Sequence, residues 1–286
     1  MSAIFSLTPV SQQLSLAPGE TFEGSLEITN PNYSDSNIIY EASVLPFTVA
    51  DETYKADLLT ETRRTEIKNW ISLPNPSGVL EPNRTAFVPF SISVPDSAPS
   101  GGQYAVLVVS SHPADIPDSD LRIGSIYELT SLIYAEISGT TIHDASIESL
   151  HIGKFFVGAP SVSAIVANSG NIHEYTEVSI VVTDVFTNEE LYSTEENNHG
   201  PFSEIVFPES TRLISRELNN LPSLGLFRIE EKVSIGGITN KIEETALVSP
   251  LWFLLVTVLA VFSLFFAILV SMFKKKRKTR GILKVK

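Results

Sequence analysis

The chain has 286 residues, 43% hydrophobic and 19% charged, with 17 Pro and 15 Gly, which is enough apolar content for a folded core and excludes wholesale disorder. It contains no cysteine, which excludes disulfides, thiolate zinc sites, iron–sulfur clusters and a cysteine nucleophile. The formal net charge is −13, but eight of the 20 Lys and Arg follow residue 273 and none of the 33 acids does; residues 1–273 therefore carry a net −21 and are expected to repel nucleic acid.

Residues 1–250 read as strands and turns. After the turn at Pro18-Gly19, Thr21–Thr29 alternates, with Phe22, Leu26 and Ile28 on one face and Glu23 and Glu27 on the other, as a half-buried strand does. Asn30-Pro31-Asn32 ends it. Ile39–Phe47 and Ala86–Val94 continue the pattern, and Tyr104–Val109, nearly continuously apolar, suits a central strand. Arg122–Ser138 is read as a last long strand of this half. The segment Asp51–Asn69 interrupts the regularity with dense charge of both signs. It is expected to be an inter-strand excursion with a helical turn or two, replaceable over 53–67 by a short bridge at modest cost. Its Arg63, Arg64, Glu66 and Lys68, leading into Trp70, are the candidate partner-binding residues.

A second unit begins after Ser138-Gly139-Thr140. Pro160–Ala167 alternates into Asn168-Ser169-Gly170-Asn171, much as the earlier strand runs into its Asn turn, and Glu177–Phe186 is a further strand. Leu224-Gly225-Leu226-Phe227 echoes Gly101-Gly102-Gln103-Tyr104: glycine, one residue, aromatic, then a strand. The pattern predicts an all-β chain of two tandem antiparallel β-sandwiches, residues 1–139 and 140–248.

Leu251–Phe273 has no charge and only Thr257, Ser263 and Ser271 as polar residues. Its 23 residues, as a helix, span about 35 Å, enough for a hydrocarbon core of about 30 Å. Residues 249–273 are therefore read as a single transmembrane helix, with Pro250 at its start and Trp252 at the headgroup boundary. The tail, residues 274–286, opens with Lys274, Lys275, Lys276, Arg277 and Lys278, which places it on the cytoplasmic side and the acidic body outside. Export of the body requires a signal, and Met1–Leu16 has no basic start and no long apolar run, so the signal is expected to be processed off or to lie upstream. A tail-anchored chain would need none, but would have to export eight positive charges.

The stretches FSLTPVSQQLSLAPGETFEGSLEITNPN and VLEPNRTAFVPFSISVPDSAPSGGQYAVLVVSS resemble the bacterial WxL-interacting proteins, through Thr8-Pro9-Val10-Ser11-Gln12, Pro18-Gly19-Glu20, Asn30-Pro31 and Gly101-Gly102. The resemblance implies two immunoglobulin-like sandwiches, a C-terminal membrane helix and a Lys-rich cytoplasmic end. In that family the first domain is associated with peptidoglycan and the second with a partner bearing a Trp-x-Leu motif. At residue level the likeness lies in the first half, and Trp252-Phe253-Leu254 is membrane helix rather than such a motif.

Little in the sequence points to catalysis. His112, His143, His151, His173 and His199 form no metal-binding spacing, and His143 and His151 are assigned to a strand. No nucleophile elbow and no phosphate-cradling glycine loop is present, so no cofactor is expected. Asp115, Asp118 and Asp120 in PADIPDSDL are oxygen donors that could hold calcium, though Asp and Pro are also ordinary turn residues. Three functions remain: a membrane-anchored surface protein that binds cell-wall polymer or a partner protein, an extracytoplasmic chaperone acting through an exposed edge strand, and a surface hydrolase.

Overall fold

A computed structural model describes residues 5–31, 36–114, 126–194 and 202–282. In the first half the strands are β1 (Ser6–Thr8), β2 (Ser11–Leu16), β3 (Thr21–Asn30), β4 (Ile38–Pro46), β5 (Thr48–Val49), β6 (Ala56–Asp57), β7 (Ile71–Ser72), β8 (Ser77–Leu80), β9 (Arg84–Ser93), β10 (Gly101–Pro113) and β11 (Tyr127–Ile137). They form two main sheets, ordered β1-β3-β9-β7 and β2-β11-β10-β4-β8, with β5 and β6 paired apart. Period-two alternation directs Leu26, Ile28, Val88, Phe90 and Ile92 from one sheet, and Ala105, Leu107, Val109, Ile133 and Ala135 from the other, into a shared core.

The second half comprises β12 (Ala145–Ile152), β13 (Phe155–Val157), β14 (Ser161–Asn168), β15 (Glu174–Asp184), β16 (Glu190–Ser193), β17 (Phe202–Val206), β18 (Ser210–Glu217), β19 (Gly225–Ile235) and β20 (Ile238–Ser249). Its sheets are ordered β12-β14-β18 and β13-β20-β19-β15-β16, with β17 also on β15. The fold is thus all-β, two immunoglobulin-like sandwiches in tandem along the chain, followed by one helix, α1 (Leu251–Ile282). The antiparallel expectation fails in places: β2 runs parallel to β11, and β13 parallel to β20. Each arises where the opening strand of a half switches sheets, so that its second segment lies beside that half's last strand. By packing, Met1–Ser146, Ile165–Thr176 and Glu204–Leu213 form one compact unit, and Ile147–Ala164, Glu177–Ser203 and Ile214–Lys286 the other.

Two sequence echoes acquire a physical cause here. In β10 and β19 the glycine and the aromatic two residues later share a face, and the ring folds back over the glycine. A Cβ on Gly102 would lie 2.0 Å from Tyr104 Oη, and one on Gly225 would lie 2.4 Å from Phe227 Cζ. The paired Asn turns hide a buried amide. Asn30 Nδ2 donates to the carbonyls of Ser36 (3.1 Å) and Leu80 (3.0 Å), and Asn168 Nδ2 to those of Ile172 (2.7 Å) and Val206 (3.0 Å). Each side chain thus ties the loop that follows its strand to the end of another strand, β8 for Asn30 and β17 for Asn168.

The segment Asp51–Asn69 is not the detachable excursion its charge suggests. It contains β6 and a 3-10 turn, Glu66–Asn69, from which fully buried Ile67 enters the main core. Replacing 53–67 would empty that position, a change worth about 2–5 kcal/mol for a large aliphatic side chain. The apolar part of α1, Leu251–Met272, is 22 residues long, enough to cross a membrane, and none of its most apolar stretch is covered by the rest of the chain. The helical backbone continues through Lys274, Lys275, Lys276, Arg277 and Lys278 to Ile282, because Lys and Arg are good helix formers and no proline intervenes.

Candidate functional site

The candidate residues of the first unit gather beside Glu209. Both Arg63 and Arg64 direct a guanidinium nitrogen to Glu209 Oε1, Arg64 at 3.1 Å. Arg64 Nη1 also donates to the Ser100 carbonyl (3.2 Å), and its side chain is only 13% exposed, against 65% for Arg63. The backbone around them is pinned from β10: Tyr104 N–H donates to the Arg64 carbonyl (2.7 Å), and Gln103 Nε2 to the Arg63 carbonyl (2.8 Å). Burial raises the Glu209 carboxyl pKa, but hydrogen bonds and charge from Arg63 and Arg64 more than offset this and leave it below the ordinary range. Two cations on one carboxylate leave a local positive excess on a strongly acidic body.

Two clefts flank this ridge. One, of about 180 Å³, has an apolar floor from Phe47, Val49, Tyr104 and Phe207 and a polar rim from Thr62, Arg63 and Ser210. Its floor belongs to an aromatic cluster in which Phe207 meets Tyr104 edge-on at 4.7 Å and stacks on Tyr134 at 6.1 Å and on Tyr54 at 6.0 Å. The second cleft, about 420 Å³, is lined by Arg63, Arg64, Ser100 and Asn171 among others. A side chain would fit the first, and a longer or more polar group the second. Tyr54 and Glu209, both at φ +59°, hold the left-handed backbone region that such residues rarely adopt, so strain of about 1–3 kcal/mol each is stored in the cluster.

Polar atoms behind the floor are satisfied internally. Tyr104 Oη accepts from the His173 backbone N–H (3.1 Å) and lies within hydrogen-bonding distance, 3.2 Å, of His173 Nδ1. Burial lowers the His173 pKa, with Glu136 and Glu174 pulling the other way, and burial raises those of Tyr104, Tyr54 and Tyr134. Tyr54 Oη accepts from Phe207 N–H (2.9 Å), and Arg212 lies 4.4 Å over its ring.

Not every sequence candidate joins the ridge. Lys68 pairs instead with Glu61, Glu66 is exposed, and Trp70 packs partly buried against the main core. Asp115, Asp118, Asp120 and His199 lie outside the described residues, and among the described residues no group of three or more His, Asp or Glu is placed to hold a metal ion. His151 is in β12, but His143 precedes the strand, with its Nδ1 2.6 Å from Glu174 Oε1. Trp252 stands exposed at the start of α1. Sequence reasoning missed Glu209, Phe207 and Tyr54, whose partners lie about 150 residues away; the one legible hint was Phe207-Pro208-Glu209, an aromatic leading into a proline turn.

No family model and no curated protein matches the chain. Similar solved structures include the SafB chaperone of Salmonella enterica in complex with the SafA pilin (14% identity, 87% of this chain and 99% of that one, TM-score 0.41). Others are the E. coli chaperone DraB (13%, 84% and 96%, TM-score 0.40) and a PapD-like domain of human CEP192 (18%, 48% and 87%, TM-score 0.33). At such values the likeness assigns this chain neither an activity nor a partner.

Proposed function

We propose that the chain is a membrane-anchored surface protein of the kind its first half resembles, the WxL-interacting proteins, whose β-sandwiches bind cell-wall polymer or a partner protein outside the membrane. The observation that carries this reading is the helix Leu251–Met272: apolar on every side, uncovered by the body, and separated from the last strand by Pro250 alone. The basic cluster Lys274–Lys278 on one flank orients it with the tail inside. The Arg63–Arg64–Glu209 ridge with its two clefts supplies an exposed cation and an apolar socket on an otherwise acidic surface, a pairing suited to anchoring an extended ligand. Full-length protein in detergent, mixed separately with purified wall polymer and with extracted surface proteins, tests the reading. Retention of one of them by wild type and its weakening by Arg63→Glu is the expected result; no retention of either contradicts it.

One feature favours the chaperone reading as a second account. The ladder from β11 to β2 covers only Leu132–Ile137, which leaves Tyr127–Ser131 without a strand on that edge among the described residues. A client strand could add there. Thr130→Pro would block such addition while leaving the Arg63 ridge intact, so loss of client binding in this variant alone would select the chaperone account.

A further inference from the structure

The outer face of the β19–β20 hairpin changes character along its length. Toward the Gly236-Gly237 turn it carries ion pairs, Lys241 with Glu230 (2.6 Å) and Arg228 with Glu243 (3.5 Å). Toward the helix it becomes apolar: Leu226 pairs with Leu247, and Leu247 in turn with Phe155 on β13. Phe155 and Leu247 are 49% and 43% exposed, and Val157, two residues on, is 51% exposed. The loops at this end continue the theme. Phe186 is 82% exposed, next to Val185, whose N–H donates to the Leu226 carbonyl (3.0 Å), and Leu224 is 43% exposed. Five large apolar side chains thus remain open at one end of the unit, with half-buried Leu226 among them, an arrangement a soluble surface ordinarily avoids.

Chain continuity identifies what covers them. Val157 is the register partner of Ser249, and one residue, Pro250, separates Ser249 from the first residue of the membrane-spanning helix. The apolar end is therefore tethered within a few residues of the bilayer that receives α1, whereas Asn240, nine residues before Ser249 on β20 and beyond the ion pairs, lies roughly 30 Å from it along the hairpin. We propose that Phe155, Val157, Phe186, Leu224, Leu226 and Leu247 seat in the interfacial region of that same bilayer. The second unit then rests on the membrane surface instead of swinging on a free tether. Phe186, at the tip of its loop, enters the headgroup layer in the way that interfacial aromatics do. The proposal rests on the membrane-anchored reading.

The absence of native cysteine makes a direct test simple. Val157→Cys, Phe186→Cys, Leu224→Cys and Asn240→Cys alter exposed positions, the last at the ion-paired end, and Phe262→Cys lies within the helix. Each full-length variant is labelled with a fluorophore and reconstituted into phosphatidylcholine vesicles, in parallel with nitroxide on the headgroup or on the acyl chain. The expected result is headgroup quenching several-fold stronger at 157, 186 and 224 than at 240, with acyl-chain quenching at 262. Quenching at the three positions no greater than at 240, while 262 is quenched, overturns the proposal and leaves the anchor standing. An unquenched 262 overturns both.

Discussion

Strands β10 and β19 begin with the same local device, a glycine beneath the aromatic two residues on, yet serve different ends. In β10 the ring is Tyr104, whose hydroxyl is satisfied by His173, while Gln103 and the neighbouring amide hold Arg63 and Arg64 in place. Both faces of β10 are covered, one by the sandwich core and the other by the aromatic cluster. In β19 the ring is Phe227, without a polar handle, and the same inward row carries a fully buried Glu231 with neither carboxylate oxygen hydrogen-bonded. The outward row ends in half-buried Leu226, paired with exposed Leu247 of β20. An identical turn-and-ring motif fixes the strand start, then; the residues that alternate with it decide whether the strand builds a polar ridge or an apolar face.

The largest effects come from removing the rings. Tyr104→Ala and Phe227→Ala should each destabilise by about 3–5 kcal/mol in urea unfolding of the full-length protein in detergent. The exchange of identities is sharper. Tyr104→Phe should cost about 1–3 kcal/mol by leaving the His173 groups unpaired, and Phe227→Tyr should cost more, because its ring tip already lies against Gly225. Equal tolerance of both swaps would break the comparison.

Acid should move the two strands in opposite directions. Burial raises the Glu231 carboxyl to about 7, from an ordinary value of 4.5. In that window the unfolded chain ionises while the folded one stays protonated, so stability falls as pH rises from 4.5 to 7. Glu231→Leu should remove this slope and stabilise the protein at pH 8 by up to about 3 kcal/mol. His173, held below its ordinary 6.5 by burial, acts in the other sense. Below 6.5 the unfolded chain takes up a proton that the folded ring refuses, so stability is lost on acidification toward the folded pKa, and His173→Phe should abolish that loss. Amide protection factors, with the intrinsic pH dependence of exchange divided out, should therefore rise in β19 and fall in β10 between pH 7 and 5; parallel changes would contradict the assignment.

The smallest effects belong to the ridge itself. Arg63→Ala removes a largely exposed ion pair and should cost under about 1 kcal/mol. Arg64→Ala, from a nearly buried position with a carbonyl partner, should cost about 1–3 kcal/mol. A reversed order would mean that Arg63, not Arg64, organises the corner.

Sequence periodicity was sufficient for most of the strands because alternation such as Phe22, Leu26 and Ile28 against Glu23 and Glu27 is a local property. The helix long and apolar enough to cross a membrane was legible for the same reason. The ridge was only half legible: Arg63 and Arg64 stood out by charge, but their shared acceptor Glu209 is contributed by a distant turn. Charge density misled over Asp51–Asn69, where Ile67 carries the packing and a single buried aliphatic leaves no periodic signature. Pairing of β2 and β13 parallel to the last strands was likewise invisible, since register is a tertiary choice.

On the proposed topology the body and the basic tail lie on opposite sides of the membrane, with the body outside. Phe87→Cys, at an exposed position on β9, and Thr279→Cys, beyond the helix's apolar stretch, place one thiol on each side of a chain that has none of its own. A membrane-impermeant maleimide applied to intact cells should label position 87 and reach 279 only after lysis. Labelling of 279 in intact cells with 87 protected would contradict the account.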